Sequence, residues 1–143
     1  MWSAAAIVTM IAAADQLAKW LVERNGDHLP AMLFDHVGLE IVHNSGASFS
    51  RFSGAGRLLT PVVAAVIVVI LGLILRAPGR YVWPLAILLG GAAANLIDRM
   101  RFGYVVDFVS VSVWPTFNLA DAAIAVGAIA TGIMVVLAPG RRG

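Results

Sequence analysis

The sequence predicts an all-α membrane protein, a bundle of four transmembrane helices with short strands in the segments outside the bilayer. The 143 residues are 60% hydrophobic and only 13% charged, a composition typical of an integral membrane protein. Four apolar stretches have roughly the 17–25 residues that a helix needs to cross the hydrocarbon core. They cover residues 2–21, 58–75, 82–97 and 119–138. We therefore expect a single integral membrane domain over residues 1–143.

The first stretch is expected to be a permanent helix rather than a cleaved signal peptide. No Lys or Arg precedes Lys19, so the positively charged leading region of a signal peptide is missing. Ala12-Ala13-Ala14 does resemble a small-residue cleavage site. Asp15 and Lys19, together with three further apolar stretches, favour a retained helix.

The third stretch differs from the others because it is short and rich in small residues. Gly90, Gly91 and three alanines follow one another in it. Small residues let helix backbones approach closely, so this helix is predicted to lie at the centre of the bundle.

Two segments outside the bilayer have the pattern of strands and turns. Leu29–Phe52 contains a proline, several glycines and a partly alternating run. Val105–Trp114 alternates more regularly, which predicts one shared face if the segment is extended. That face would carry Val105, Asp107, Val109, Val111 and Val113. Pro115 is expected to end this segment and Asn118 to start the last helix.

The arginines predict the orientation of the chain. Arg76–Tyr81 and the C-terminal tail carry arginines and no acid, as expected for cytoplasmic segments. Residues 22–57 instead hold four acids. Both termini are therefore expected in the cytoplasm, with residues 22–57 and 98–118 outside it. Arg99 and Arg101 argue mildly against this orientation.

Polar residues of different helices are expected to meet at one membrane face. The chain reverses direction at each crossing, which brings the end of the first and third helices next to the start of the fourth. The residues concerned are Asp15, Gln16, Lys19, Asn95, Asp98, Arg99, Asp107, Asn118 and Asp121. Ionisable groups at membrane depth are costly and usually functional. Their gathering at one interface indicates chemistry there rather than transport.

Asp107 and Asp121 are the predicted catalytic pair. Two carboxylates that share one proton can activate water and protonate a leaving nitrogen, as peptide hydrolysis requires. Burial among valines would raise the pKa of Asp107, and the first turn of a helix would favour the charged form of Asp121. Two structural alternatives remain open: Asp121 as one half of a capping box with Asn118, and Asp107 as an exposed loop carboxylate.

The other polar residues allow fewer conclusions. Asn95 and Arg99 share a helix face, so Arg99 could bind a carboxylate or a substrate carbonyl, or extend to lipid headgroups. Asp15 and Lys19 have the same spacing and could neutralise each other.

The three histidines lack the spacing of a metal site, and the chain has no cysteine for a thiol nucleophile. A net charge of +2 does not indicate a nucleic-acid-binding surface.

Five short motifs, in this order, resemble those of the lipoprotein signal peptidases, the bacterial type II signal peptidases. They are Asp15-Gln16-x-x-Lys19, Asn44-x-Gly46-Ala47-x-Phe49-Ser50, Gly90-Gly91-Ala92-x-x-Asn95-x-x-Asp98-Arg99, Gly103-x-Val105-Val106-Asp107-Phe108 and Phe117-Asn118-x-Ala120-Asp121. One departure is Ser48, where the family commonly has a second alanine.

The resemblance implies an aspartyl protease with four transmembrane helices and a small extracytoplasmic β-rich cradle. Such an enzyme cleaves prolipoproteins before a cysteine that already carries a diacylglyceryl group. Asp107 and Asp121 would be the catalytic dyad. The site would be lined or supported by Asp15, Lys19, Asn44, Gly46, Asn95, Arg99 and Asn118.

The resemblance also implies a setting for the enzyme. The protein would be a monomer in the bacterial cytoplasmic (inner) membrane, with its active site at the extracytoplasmic face. Its partners would be membrane lipids and prolipoproteins, without nucleic acid, cofactor or metal.

Three alternatives to an aspartyl protease stay open at the level of sequence. One is a Ser/Lys hydrolase in which Lys19 activates Ser45, Ser48 or Ser50. Another is a small proton-coupled transporter, which would need polar residues near the bilayer midplane. The third is a membrane scaffold without catalytic activity.

Overall fold

Four long helices and one small antiparallel sheet form the described part of the chain. The computed structural model describes residues 2–26, 32–46 and 55–138. The elements are α1 (Trp2–Asn25), β1 (Met32–Phe34), β2 (Val37–Asn44), α2 (Ala55–Arg76), a 3₁₀ turn (Gly79–Tyr81), α3 (Val82–Phe102), β3 (Val105–Val111), β4 (Trp114–Phe117) and α4 (Leu119–Val136). Part of the predicted strand-and-turn segment 29–52, including Ser48 and Ser50, lies outside the described residues, as do residues 139–143.

All four predicted spans are helices long and apolar enough to cross a membrane. Three of them, α1, α2 and α3, extend past the predicted limits of the spans, because a helix need not end where the hydrocarbon ends. The third helix carries Asp98 and Arg99 in its last turns and stops at Gly103, whose φ of 81° favours glycine.

The third helix lies at the centre of the bundle, as its small residues predict. In α3, 56% of the spanning window is buried, against 6–17% in the other three helices. A Cβ added at Gly90 would meet Ile11 of α1, and one added at Gly91 would meet the carbonyl of Ala120 in α4. The absence of side chains at these two glycines therefore lets α1 and α4 pack directly on the α3 backbone.

The sheet connects the segment after α1 to the segment between α3 and α4. Its strand order is β1-β2-β3-β4, with antiparallel neighbours. Asn44, the last residue of β2, lies opposite Val105, and Val42 lies opposite Asp107. This register places the end of β2 beside the start of β3, where α3 has just ended.

One prediction about the sheet holds in part and another was wrong. Val105, Asp107, Val109 and Val111 do share one face of an extended strand, but residues 105–108 are buried on both faces of β3. The reason is that β3 packs against α1 and α3 as well as between two strands. Pro115 does not end the segment but lies inside β4, an edge strand that tolerates a missing N–H. Val113 lies in the turn before β4 and is 91% exposed.

Candidate active site

Asp107 is a buried carboxylate on β3 that receives two amide hydrogen bonds. Asn44 Nδ2 donates to Asp107 Oδ2 at 2.9 Å, and Asn118 Nδ2 donates to Asp107 Oδ1 at 2.7 Å. The side chain is only 1% exposed, so it is not the exposed loop carboxylate of the alternative interpretation.

Asp121 lies in the first turn of α4, and its carboxylate contacts Asn118 and Asn95. Asn118 Oδ1 accepts a hydrogen bond from the Asp121 backbone N–H at 2.9 Å, and Asp121 Oδ2 accepts one from the Asn118 N–H at 3.3 Å. These bonds form a capping box. The other oxygen, Oδ1, accepts from Asn95 Nδ2 at 2.8 Å. Capping thus uses one carboxylate oxygen of Asp121, and the second one is bound by α3.

Asparagine amides connect the two aspartates. Asn118 donates to the Asp107 carboxylate and also to Asn95 Oδ1, at 3.1 Å, while Asn95 donates to Asp121. Burial is the largest cause that raises the pKa of Asp107 above its ordinary value. The hydrogen bond from Asn44 opposes this effect, and the negative charge of Asp121 adds to it. Asp107 therefore holds its proton more tightly than an ordinary aspartate does.

A buried ionic cluster supports the pair from the side of α1. Lys19 Nζ lies 2.7 Å from Asp15 Oδ2 and 2.7 Å from Asp98 Oδ2, and it donates to Asn95 Oδ1 at 3.2 Å. Asp15 Oδ1 accepts a hydrogen bond from the Ala120 N–H at 2.8 Å, which ties α1 to the first turn of α4. The predicted ion pair of Asp15 and Lys19 is confirmed, and it belongs to a larger cluster.

Asp98 was not among the predicted site residues, although it belongs to the expected polar group. Besides Lys19 it binds Gln16 Nε2 at 2.6 Å and the Val106 N–H at 3.3 Å. It therefore fixes the start of β3 next to Asp107. The available signal was its position three residues after Asn95, on the same face of α3.

Gly46 and Arg99 lie together at another edge of the site. The Gly46 N–H donates to Asn44 Oδ1 at 2.8 Å, which leaves the Asn44 amide nitrogen directed at Asp107. Gly46 has a φ of 76°, and a Cβ there would meet the side chains of Leu59 and Arg99. Arg99 Nε and Nη1 are buried without a hydrogen-bond partner among the described residues. Arg99 therefore holds no carboxylate through these atoms in the described part of the chain.

All nine predicted site residues lie in this one connected region. The donors of Lys19 are directed at Asp15, Asp98 and Asn95, which disfavours the Ser/Lys hydrolase with Ser45. The other two serines of that alternative lie outside the described residues. Within residues 2–26, 32–46 and 55–138, no group of three His, Asp or Glu side chains is arranged to hold a metal ion.

Comparisons with known proteins show which sequences this chain is similar to. The sequence profile of the family described as signal peptidase (SPase) II matches residues 7–137. The lipoprotein signal peptidase of Moorella thermoacetica is 39% identical, covering 96% of this chain and 95% of that protein. The lipoprotein signal peptidase of Rhodococcus jostii is 43% identical, covering 92% of this chain and 69% of that protein.

A solved structure supports the fold independently. A bacterial membrane enzyme determined by the in meso method at 2.3 Å resolution has a TM-score of 0.84 at 19% identity, and the match covers 100% of this chain and 93% of that one. At this identity the likeness concerns the fold alone, and it confirms a four-helix membrane bundle with a small sheet. From the profile match and the two relatives together, the chain belongs to the signal peptidase II family.

Proposed function

We propose that Asp107 and Asp121 are the catalytic dyad of this signal peptidase II, and that the enzyme cleaves diacylglyceryl-modified prolipoproteins before the lipidated cysteine. The observation that carries the proposal is the chain of amide contacts in which Asn118 and Asn95 join the two carboxylates. Two carboxylates held in one polar cluster at the end of a membrane bundle suit an acid and base pair.

The mechanism begins with Asp107 protonated and Asp121 ionised. The raised pKa of Asp107 supports its role as proton donor, and Asp121, whose two oxygens accept hydrogen bonds from Asn118 and Asn95, is the remaining carboxylate for the role of base. Asp121 takes a proton from water as the water oxygen attacks the scissile carbonyl carbon, and Asp107 gives its proton to the carbonyl oxygen. This step produces a neutral tetrahedral diol.

Collapse of the diol returns both aspartates to their starting states. Asp121 passes its proton to the peptide nitrogen, and the bond between carbon and nitrogen breaks. One hydroxyl of the diol gives its proton to Asp107 as the new carboxyl group forms. The products are the signal peptide and a polypeptide that begins with the lipidated cysteine.

Arg99 is the proposed contact for the substrate backbone. Its guanidinium has two buried nitrogens without a partner among the described residues and lies next to Gly46. Buried donors without an acceptor are costly, and a peptide carbonyl supplies the missing acceptor. A Cβ at Gly46 would collide with Leu59 and approach this guanidinium, so glycine lets the Asn44–Gly46 turn lie against Arg99.

The membrane orientation is part of the proposal. The chain is a multi-pass bacterial membrane protein, as its family and its four apolar helices indicate. We propose cytoplasmic termini, an extracytoplasmic site and a monomeric enzyme surrounded by lipid. The arginines of the link between α2 and α3 support this, because Arg76 and Arg80 lie at the end of the bundle away from the aspartates.

Each buried CH₂ of the substrate lipid would add about 0.8 kcal/mol of membrane affinity, so an entrance from the bilayer would let the acyl chains stay in lipid.

The test uses purified enzyme with diacylglyceryl-modified and unmodified prolipoprotein. We expect wild type to release the signal peptide from the modified form alone, and Asp107→Asn and Asp121→Asn each to lose about a thousandfold or more in kcat. Asp35→Asn is the matched control, since Asp35 is exposed in the turn between β1 and β2. An Asp107→Asn enzyme with full activity would exclude the dyad, and cleavage of the unmodified form would exclude the lipid requirement.

A further inference from the structure

The buried ammonium of Lys19 contacts three acceptors at once. Its partners are Asp15 Oδ2, Asp98 Oδ2 and Asn95 Oδ1, and its side chain is 4% exposed. An ammonium group has three N–H donors and no acceptor. Every atom that faces it at hydrogen-bond distance must therefore be an acceptor.

This requirement determines which end of the Asn95 amide faces Asp121. The oxygen and nitrogen of an asparagine amide have nearly the same size, so contacts alone decide their positions. With the oxygen at Lys19, the amide nitrogen donates to Asp121 Oδ1 at 2.8 Å. A reversed amide would bring its NH₂ group against the ammonium and its oxygen against the Asp121 carboxylate.

The other neighbours of Asn95 do not enforce this orientation through the whole reaction. Asn118 Nδ2 contacts Asn95 Oδ1, but it also has the Val106 carbonyl and Asp107 Oδ1 as acceptors for its two hydrogens. Once Asp121 has taken a proton from water, it could donate that proton to a reversed Asn95. Lys19 cannot accept a hydrogen bond at any stage, so its preference for the oxygen is permanent.

We infer that Lys19 is a positioning residue of the hydrolysis, which acts through Asn95 to keep an amide N–H on Asp121 throughout the catalytic cycle. This inference rests on the proposed dyad and adds a residue that itself touches neither catalytic carboxylate. Lys19 thereby keeps Asp121 as the carboxylate that is ready to receive a proton from water.

The charges around Lys19 predict a second effect. Acidic groups face the Lys19 and Asn95 pair from each polar element around it: Asp15 from α1, Asp98 from α3, Asp107 from β3 and Asp121 from α4. Among the α2 side chains that the structure describes, Arg76 is the one charged group, and it lies at the far end of that helix. Removing the ammonium takes a buried positive charge out of this group of carboxylates, so the acid limb of the pH–rate profile should move to higher pH.

The test compares Lys19→Arg, Lys19→Gln and Lys19→Met. An arginine side chain has only hydrogen-bond donors, and a glutamine side chain has both donors and an acceptor. Methionine has no donor and only a weak acceptor. We expect Lys19→Arg to retain most of the wild-type kcat. Lys19→Gln and Lys19→Met should each lose about 10- to 100-fold in kcat, the range seen when an orienting partner is removed. KM should stay unchanged, and the acid limb should move to higher pH in both variants.

A charge-matched double variant keeps the test decisive if removal of Lys19 alone prevents folding. Lys19, Asp15 and Asp98 together carry a net charge of −1, and Lys19→Met with Asp98→Asn also leaves −1 on Asp15. Circular dichroism in detergent establishes folding. The double variant should have a kcat about 10- to 100-fold below that of Asp98→Asn alone.

Two outcomes would overturn the inference. One is a folded Lys19→Gln enzyme with the wild-type kcat and pH profile, and the other is a double variant with the kcat of Asp98→Asn. Either result leaves the dyad intact, because Asp107→Asn and Asp121→Asn are measured with Lys19 present. Full activity in those two variants would instead remove the dyad itself.

Discussion

Six polar side chains are buried where α3 ends and α4 begins, the polar end of the bundle. Towards the start of α3, at the apolar end, the described core consists of Ile70, Leu85 and Leu89. The polar group comprises Asp15, Lys19, Asn95, Asp98, Asp107 and Asn118. At the polar end, the stability of each buried polar group depends on whether a donor or an acceptor faces it, because a buried donor or acceptor without a partner is costly. At the apolar end the packing depends on shape and volume alone. Substitutions at the two ends should therefore fail in different ways.

Among the variants that compare the two ends, the largest effect is expected at Asn118, where loss of the amide donor should reduce activity and preserve the helix. Asn118→Ser keeps an oxygen that can cap α4 but removes the amide that donates to Asp107 Oδ1 at 2.7 Å. We expect a loss of about 10²- to 10³-fold in kcat, the range for one catalytic hydrogen-bond donor. Kinetic assay and thermal unfolding of the same preparation measure the two effects.

Asn118→Ala separates capping from the donor role. It should lose the same activity and, in addition, about 1 kcal/mol of stability, since alanine cannot cap. If Asn118→Ser retained the wild-type kcat, the amide would not be needed at Asp107. Asn118 would then lack the dependence on atom type that we expect of residues at the polar end.

A change of volume at the apolar end should have the opposite signature. A Cβ added at Gly127 of α4 would lie 2.7 Å from the Pro84 carbonyl oxygen and 2.6 Å from the Leu88 nitrogen. Gly127→Ala should therefore destabilise the fold by about 1–3 kcal/mol, as overpacking does. The kcat of the folded fraction should stay close to that of wild type, because Gly127 lies two turns from Asp121 along α4.

Gly132 supplies the matched control on the same helix. Among the described residues, no heavy atom beyond the neighbouring backbone of α4 lies within 4 Å of a Cβ added there. Gly132→Ala should thus stabilise α4 slightly, by up to about 1 kcal/mol, because alanine is the better helix former. Equal unfolding temperatures for the two alanine variants would show that close packing at Gly127 does not contribute.

The sequence predicted the apolar end of the molecule better than the polar one. Apolar runs determine a membrane helix locally, so all four helices and the central place of α3 followed from composition. The gathering of Asp107, Asp121 and their asparagines followed from the reversal of the chain at each crossing. Asp98 was missed as a site residue because its partners Lys19 and Gln16 lie on α1, far away in the sequence.

The features of the sheet that the sequence did not predict have the same origin. Burial of β3 on both faces depends on the helices that pack against it, and the tolerance of Pro115 depends on β4 being an edge strand. Both are properties of the assembled fold, which the alternation within one segment does not contain.

The smallest expected effect is a shift in the pH dependence of kcat on substitution of Asn44, which tests the role of this residue at the polar end. The Asn44 amide lowers the pKa of Asp107, although burial keeps that pKa above its ordinary value. Asp107 must be protonated to donate to the substrate carbonyl, so activity should fall as the pH rises through the raised pKa. Asn44→Ala removes the opposing hydrogen bond, and the alkaline limb of the kcat profile should then move to higher pH.

The sign of the stability change checks the same group without substrate. An acid whose pKa is raised by folding binds its proton more tightly in the folded state, so the folded state loses stability as the pH rises from the ordinary pKa through the raised one. Asn44→Ala should extend this loss to higher pH. Measuring unfolding temperature and kcat against pH for wild type and Asn44→Ala tests both statements. An alkaline limb that moved to lower pH would mean that Asn44 does not stabilise the charged form of Asp107, and that another group supplies the proton.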